Sequence, residues 1–159
     1  MNAENQQQFD DLIHIGSFFL DEEEFGVDLL KYQSIIRPME ITRVPCAESF
    51  VEGAINLRGT IIPVINLRTR FGMPPRPQDS DTRIINMEIE GLVLGFIVDK
   101  MGQVQRIPRR LVGGTPPLIS SVDSQYIEGV CTTSDDHLLI LLNMDKVLTP
   151  ENLAQLAAM

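Results

Sequence analysis

Two cysteines and two histidines are the residues of this 159-residue sequence best suited to catalysis or metal binding. Cys131 and His137 lie six positions apart across an expected hairpin, and Asp135 beside them could complete a nucleophile, a base and an orienting acid. A small buried cysteine and a solvated turn histidine explain the same pair, and we favour that interpretation. His14 and Cys46 have no neighbours at the spacing of zinc ligands. The sequence therefore predicts no enzyme activity, no bound metal and no cofactor.

Charge along the sequence argues against nucleic acid as a partner. The formal net charge is −9, from 13 basic and 22 acidic residues, and eight of the acids fall in the first 28 residues, which contain no Lys or Arg. An acidic leading segment repels phosphate backbones, and no basic cluster with interleaved aromatic residues compensates for it. The glycine pair in Gly113–Pro117 also lacks the lysine of a phosphate-binding loop.

The apolar stretches are too short to cross a membrane. The longest runs, such as Ile61–Leu67 and Leu138–Leu142, fall well below the roughly 20 residues that a membrane helix needs. The first 11 residues lack the basic start and apolar run of a secretory signal. Two cysteines provide no disulfide framework, so we expect a cytoplasmic protein without direct membrane insertion.

Arg58 is the residue with the clearest binding chemistry. The segment Asn56–Thr60 places this long cation at the tip of an expected tight hairpin, and Arg68 and Arg70 follow the second strand. One interpretation is a solvated turn residue. The other is an anchor for a protein partner, because a planar guanidinium bonds several acceptors at once.

Short strands are the elements that must position these residues. Apolar runs of five to eight residues alternate with glycine, proline and acidic residues, which is typical of a β protein. The pairs Arg58-Gly59 and Glu90-Gly91 predict two-residue turns in which glycine adopts a positive φ. The expected strands are Ile13–Leu20, Phe25–Ile36, Ala54–Leu57, Thr60–Leu67, Arg83–Ile89, Leu92–Val98, Gln103–Ile107 and Leu138–Met144.

The sequence also contains an internal repeat. Phe50–Ala54 reappears 76 positions later as Tyr126–Val130, and Ile61–Leu67 reappears 77 positions later as Leu138–Met144. Upstream, matching residues at a spacing of 69 begin with Phe25 in one half and Leu94 in the other. Chance similarity between apolar strands is the alternative explanation.

The repeat predicts the organisation of the chain. Residues 17–72 and 86–148 are interpreted as two copies of one β unit, joined by the linker Met73–Asp81. Copies of about 60 residues bury little surface alone, so they must pack on each other and leave a crevice along the seam. The repeat also favours strand over helix at Leu29–Ile36, because the matching stretch contains helix-breaking glycines.

The two ends of the chain are expected to differ. Residues 1–12 form an acidic and polar tail, whereas residues 149–159 predict a terminal helix. Thr149 is a good N-cap and Pro150 a good first residue for that helix. Leu153, Leu156 and Ala157 would share one face of it.

Five blocks of the sequence follow the order found in a known family. They are Phe25–Lys31, Ile41–Pro45, Phe50–Gly59, Ile62–Arg68 and Gly95–Asp99. Together these blocks resemble the CheW family of bacterial chemotaxis coupling proteins, over residues of about 18 to 148. The resemblance implies a mainly β fold, with two five-stranded SH3-like β barrels side by side, short helical turns and a C-terminal helix.

The resemblance also implies a non-enzymatic adaptor that couples methyl-accepting chemoreceptors to the regulatory domain of a chemotaxis histidine kinase. The tip of the receptor's helical hairpin would lie in the groove between the barrels. The adaptor would associate weakly or not at all with itself, assemble into rings with the kinase domain, and be recruited to receptor arrays at the inner face of the membrane. The positions that match the family's coupling residues are Tyr32, Ser34, Gly53, Arg58, Val104 and Gly129.

Some of these positions differ from the family's common pattern. Tyr32 stands where a small aliphatic residue is usual, and Ser34 stands where glutamate is frequent. The resemblance further assigns Gly113–Leu118 as a candidate array-interface loop, although Gly113 replaces a basic residue often found there. An exposed connector containing two prolines is the alternative interpretation of that loop.

Three other functions remain open from the sequence. One is a coupling protein of a non-flagellar chemosensory pathway, which controls twitching or a second messenger. Another is a coupling or regulatory domain of a larger kinase or receiver fusion. The third is an enzyme of unknown reaction, which the thin inventory of reactive residues disfavours.

Overall fold

The computed structural model describes residues 11–45, 48–114, 122–132 and 137–159. Its strands are β1 (Leu12–Leu20), β2 (Glu23–Asp28), β3 (Tyr32–Ile36), β4 (Val51–Leu57), β5 (Thr60–Asn66), β6 (Arg83–Ile89), β7 (Leu92–Val98), β8 (Lys100–Pro108), β9 (Ile127–Thr132) and β10 (Leu138–Leu142). The helices are α1 (Leu67–Arg70), α2 (Met144–Val147) and α3 (Pro150–Ala157), and single 3₁₀ turns occur at Leu29–Lys31, Arg109–Leu111 and Ser124–Tyr126.

The strands form two five-stranded sheets. Sheet A has the order β8-β1-β2-β10-β9, and sheet B has the order β3-β6-β7-β5-β4. Neighbouring strands are antiparallel except for two pairs, β2 with β10 and β5 with β7, which are parallel. The predicted mainly β fold with two five-stranded units is confirmed.

Each sheet combines strands from both copies of the repeat. Strands β1 to β5 belong to the first half of the chain, and β6 to β10 belong to the second. Sheet A joins β1 and β2 to β8, β9 and β10, whereas sheet B joins β3, β4 and β5 to β6 and β7. The halves pair at four places: the antiparallel pairs β1 with β8 and β3 with β6, and the two parallel pairs. The boundaries of the sequence copies are therefore not boundaries of the sheets.

The predicted continuous strand Phe25–Ile36 is wrong in its middle. Strand β2 ends at Asp28, a 3₁₀ turn follows, and β3 starts at Tyr32 in the other sheet. The Asp28 carboxylate accepts a hydrogen bond of 3.0 Å from the backbone N–H of Leu30, which stabilises the turn. The break exists because the chain must cross from sheet A to sheet B at this point.

Three further elements differ from the expected strand pattern. Strand β9 was absent from the predicted strands, although its residues match those of β4 in the repeat. Helices α1 and α2 replace the expected last residues of β5 and β10. The side chains of Asn66 and Asn143 cause this change, because each accepts a backbone N–H of the following turn as an N-cap.

Local turn and cap signals agree with the structure. Arg58 and Gly59 have φ values of +54° and +87°, and Glu90 and Gly91 have +51° and +78°. Both central residues of each turn are thus left-handed, as the right-handed twist of a hairpin favours. Helix α3 follows the N-cap Thr149, which exchanges hydrogen bonds with Asn152. None of the helices within the described ranges is long and apolar enough to cross a bilayer.

The principal core lies between the two sheets. Its fully buried aromatic residues come from both of them, and each such side chain contributes roughly 1.5–3 kcal/mol by its burial. The aromatic residues are Phe18, Phe25 and Phe96. Two smaller clusters lie within the sheets, one around Ile15, Ile107 and Leu139 in sheet A, the other around Ile55, Ile62 and Val64 in sheet B.

Candidate functional site

Tyr32 spans the seam between the two sheets. It begins β3 in sheet B, and its hydroxyl donates a hydrogen bond of 2.8 Å to the carbonyl oxygen of Gly16 on β1 in sheet A. A Cβ atom at residue 16 would lie 2.7 Å from the ring carbon Cζ of Tyr32, so only glycine leaves room for the ring. Burial raises the pKa of the Tyr32 phenol, and the group therefore keeps its proton as a donor.

Val104 lies beside Tyr32 at the same seam. It stands directly opposite Gly16 in the antiparallel pair of β1 and β8, and opposite residues of such a pair share one face of the sheet. The Val104 side chain is 61% exposed. Sequence reasoning missed Gly16, although a glycine inside an apolar strand is a signal of close approach by another group.

The side chains of Tyr32 and Val104 define what we call the seam surface. Ser34 follows on β3 but lies on the other face, because a register shift pairs Tyr32 with Met87 and Ser34 with Asn86. It lies two residues after Tyr32 on β3, and its hydroxyl oxygen accepts a hydrogen bond of 3.0 Å from the Asn86 side-chain amide. Ile35 next to it is about half exposed. The seam surface thus combines an aromatic ring and an aliphatic side chain from two strands, one in each sheet.

Arg58 is presented to solvent from a rigid turn. The turn is braced by the Asn56 side-chain oxygen, which accepts the backbone N–H of Gly59 at 2.8 Å. Arg58 is exposed and makes no hydrogen bond or ion pair with the other residues that the structure describes. Its guanidinium is therefore available to acceptors on another molecule.

Arg68 occupies the other end of strand β5 and is buried. Its Nη1 lies 2.7 Å from a carboxylate oxygen of Asp21 and 2.7 Å from one of Asp99. Its Nε and Nη2 donate to the Pro74 carbonyl at 2.9 and 2.7 Å. Burial opposes the charge of Arg68, but the two carboxylates outweigh that effect and raise its pKa.

Arg70 is also engaged within the protein. Its Nε donates to the Val147 carbonyl at 2.6 Å, and its guanidinium lies 4.9 Å from the ring centre of Phe50 and 5.3 Å from that of Tyr126. These two rings occupy equivalent positions in the repeat. Of the three arginines that the sequence groups around this hairpin, Arg58 alone is free of such contacts within the described residues.

Gly53 and Gly129 close the two sheets. Gly53, with φ of +144°, lets the backbone of Thr42 exchange hydrogen bonds of 2.9 Å with Ala54 on β4. Gly129 likewise lets Gly113, after β8, exchange bonds of 2.8 and 3.0 Å with Val130 on β9.

The resemblance assigns these two glycines to partner coupling, and the structure shows a role for their missing side chains within the chain itself. The approaching backbone belongs to the same chain, and it contacts the position where a Cβ atom would stand. A large side chain at residue 53 would displace Thr42 instead of filling a groove. Gly53→Trp is therefore not a clean probe of partner binding.

Residues 14–151 match the family model of the CheW-like domain, which is most of the chain. This chain belongs to the CheW-like domain family. The resemblance carried by the five sequence blocks is thereby confirmed.

Relatives of this CheW-like chain match it over nearly their full length. It is 30% identical over 159 residues to the chemotaxis protein CheW of Treponema pallidum, covering 98% of this chain and 91% of the relative. It is 35% identical over 132 residues to the chemotaxis protein CheW of Thermotoga maritima, covering 83% and 85%. The crystal structure of the scaffolding protein TtCheW from Thermoanaerobacter tengcongensis matches with a TM-score of 0.78 and 36% identity, covering 88% of this chain and 90% of that one.

The structure describes the linker and only part of the candidate array-interface loop. Gly113 belongs to the bridge that closes sheet A, while Leu118 lies outside the described residues. The linker Met73–Asp81 of this CheW-like chain is held down by Arg68, which binds Pro74, and by Arg76, which lies 3.2 Å from Asp99.

Two of the residues considered for catalysis, Cys131 and His137, lie in the part of the chain that the structure describes. Cys131 is buried, and burial raises the pKa of its thiol, which opposes formation of a nucleophilic thiolate. His137 lies 3.1 Å from the Glu24 carboxylate. Asp135 and Cys46 lie outside the described residues, and the described part of the chain contains no group of three or more His, Cys, Asp or Glu side chains that could hold a metal ion.

Proposed function

We propose that this CheW-like chain is a non-enzymatic adaptor that couples methyl-accepting chemoreceptors to a chemotaxis histidine kinase. Its family, and relatives that are named as chemotaxis and scaffolding proteins, support this proposal. The observation that carries it is the seam surface. Tyr32 and Val104 are distant in sequence, yet both lie at Gly16, where the two sheets meet.

The seam surface suits the tip of a receptor's helical hairpin. Exposed Val104 and half-exposed Ile35 offer apolar contacts beside the Tyr32 ring. An amphipathic helix binds such a surface by laying its apolar face against it. Because the Tyr32 hydroxyl is engaged by Gly16, the receptor would meet the ring and not a phenol donor.

Arg58 is the second coupling element of the proposal. Its turn leaves little backbone disorder for a partner to remove, which favours binding. The kinase regulatory domain and the receptor would bind separate surfaces, so that both are held at once in a ring with heterologous contacts. The Gly113–Leu118 loop and the Met73–Asp81 linker would lie at the edge of those contacts. Such an assembly would recruit the chain to arrays at the inner face of the membrane.

The test is a reconstituted assembly of receptor, kinase and this chain, with Arg58→Ala and the matched exposed-cation control Lys146→Ala. Arg58→Ala should weaken binding by more than roughly 1 kcal/mol, about fivefold, and reduce kinase control. Lys146→Ala should leave both unchanged. Undiminished binding of receptor and kinase domain by Arg58→Ala would remove Arg58 from the site.

The proposal of separate surfaces has its own test. Binding of the kinase regulatory domain is measured at increasing concentrations of a soluble receptor hairpin. We expect the affinity for the kinase domain to stay the same or to rise. Mutual displacement would show a single shared surface and contradict this part of the proposal.

A further inference from the structure

The repeat creates two equivalent junctions, each at the point where the chain crosses between the sheets. The first junction contains Leu30, between β2 and β3, and the second contains Asp99, between β7 and β8. These two residues are 69 positions apart, the spacing that relates this part of the two halves. At the same spacing, the turn residue Asp21 corresponds to Glu90, and both have left-handed backbones, with φ of +54° and +51°.

The short helices after β5 and β10 complete the two junctions. Arg68 of α1 corresponds to Asp145 of α2, 77 positions later. Arg68 binds Asp99 at 2.7 Å, and Asp145 binds Lys31, next to Leu30, at 3.0 Å. The two junctions therefore share a left-handed turn and a capped short helix, and the ion-pairing residue on that helix has the opposite charge in each.

The second junction is covered by the linker of the chain itself. The Met73 N–H donates to the Arg68 carbonyl at 2.8 Å, and the Pro74 carbonyl accepts from the Arg68 guanidinium. Arg76 of the linker donates to Asp99 at 3.2 Å. An extended segment with an arginine and an apolar side chain thus occupies the covered junction.

The first junction is open. It forms a cleft of about 530 Å³ lined by Asp28, Leu30, Lys31, Glu88, Glu90, Gly91 and Asp145. Leu30 is 91% exposed, the highest value among the large apolar side chains that the structure describes. The chain that follows α2 does not line this cleft, because helix α3 packs on the shared core through Leu156.

The charges of the open junction select one kind of occupant. Four carboxylates face one ammonium group in the cleft. Glu90 makes no hydrogen bond or ion pair with the described residues, and Glu88 accepts a single surface bond of 3.2 Å from Gln33. Asp145 stands where the covered junction has Arg68. The open junction therefore accepts hydrogen bonds at this position, whereas Arg68 in the covered junction donates them to a carbonyl oxygen.

We propose that the open junction binds an extended segment of a partner protein that presents an arginine beside an apolar side chain. The arginine would reach Glu90, as Arg76 lies 3.9 Å from its counterpart Asp21 in the covered junction, and Asp145 would add a second carboxylate. The apolar side chain would cover Leu30, just as Met73 of the linker packs against the principal core at the covered junction. This inference goes beyond the proposed coupling function and does not rest on it.

The test uses peptide titrations of the isotope-labelled full chain followed by NMR. The probe is acetyl-Met-Pro-Pro-Arg-Pro-Gln-amide, which has the sequence of the first six linker residues, and its control carries glutamate in place of arginine. The arginine peptide should shift the amide signals of Leu30, Lys31 and Glu90, whereas the glutamate peptide should not. Its dissociation constant should rise about threefold or more in Glu90→Lys, the scale of an exposed charge pair.

Two further variants separate the charge from the apolar contact. Glu40→Lys, an exposed acid outside the junction, should bind the arginine peptide like the unchanged chain. Leu30→Ser should keep the melting temperature, because the side chain is exposed, and should weaken the peptide at least twofold.

The proposal is overturned if the two peptides bind equally, if Glu40→Lys and Glu90→Lys weaken binding equally, or if Leu30→Ser binds with full affinity. Shifts confined to Asp21, Arg68 and Asp99 would mean that the peptide displaces the linker, and they would also overturn it. Concentration-dependent shifts of Leu30 without peptide would identify a second copy as the occupant and equally contradict it.

Discussion

The covered and open junctions show how the two halves of one repeat diverge. Both have a left-handed turn, a sheet-to-sheet crossing and an asparagine-capped short helix. In one, Arg68 and Asp99 are buried under the linker, and in the other, Lys31 and Asp145 remain partly exposed. Duplication thus preserves the turn and the capped helix, while burial decides whether the ion pair at a junction serves stability or remains open to a partner.

The largest expected effect comes from breaking the covered junction. Arg68→Ala should lower the free energy of unfolding by about 3–5 kcal/mol, because it leaves the carboxylate of Asp99 buried without its main partner. Lys31→Ala at the open junction should cost about 1 kcal/mol or less. Chemical denaturation of both variants measures the difference, and equal costs would mean that the two junctions are energetically alike.

The two closing glycines sharpen the comparison between halves. Gly53→Ala should lower stability by about 1–3 kcal/mol, because its positive φ and the Thr42 carbonyl both exclude a Cβ atom. Gly129→Ala should cost less, since the nearest atom to its Cβ is a side-chain carbon of Val112, at 2.6 Å, which can rotate away. Thermal and chemical unfolding of the pair give the order, and a reversed order would contradict this account of the bridges.

Loss of the hydrogen bond between Tyr32 and Gly16 should have a smaller effect on stability than the changes above. Tyr32→Phe should cost about 1 kcal/mol, because the Gly16 carbonyl loses its donor. The raised pKa of Tyr32 means that the unfolded chain ionises first, so its contribution is complete below the ordinary tyrosine pKa of about 10 and declines as pH rises above it.

Unfolding measured at pH 8 and at pH 11 tests this pH dependence. The loss of stability at alkaline pH should shrink in Tyr32→Phe. Tyr126→Phe is the matched control, since its hydroxyl makes no hydrogen bond with the described residues, and it should leave the loss in place. An unchanged alkaline loss in Tyr32→Phe would assign the effect to other groups.

The smallest effects on stability are expected at the two turn tips. Arg58→Ala and Glu90→Ala should each change the free energy of unfolding by no more than about 0.5 kcal/mol, because both side chains are exposed and make no polar contacts with the described residues. Differential scanning calorimetry measures both. If Arg58→Ala clearly lowered stability, weaker binding by this variant would not show that an anchor is lost. The binding test would then use Arg58→Lys instead.

Local signals in the sequence predicted much of the architecture. Glycine at two-residue turns, the threonine cap before α3 and the alternation of short apolar runs all depend on near neighbours in the chain. The interrupted strand at Leu29–Lys31 and the capped helices after Asn66 and Asn143 were missed. Each of these elements is marked in the sequence by a single polar side chain within a strongly apolar run. Such a run by itself predicts a continuous strand.

The candidate site was predicted in part. The positions of Tyr32, Val104 and Arg58 came from the family resemblance, and the structure shows that the first two meet at one surface. Gly53 and Gly129 were assigned to partner contact, whereas the structure gives them a role in closing the sheets.

The repeat, the β class, the hairpin turns and the family all follow from the amino-acid sequence alone. Three features became apparent only in the folded structure. Each sheet contains strands from both halves of the chain, Arg68 is buried while Arg58 is exposed, and the linker covers one of the two junctions. The reason is physical, because turns and caps depend on interactions within a few residues. The pairing of strands from different halves and the burial of side chains depend instead on long-range contacts, such as that of Val64 on β5 with Gly95 on β7. Such contacts join distant parts of the chain, and the two halves are too similar in pattern to indicate which strands pair.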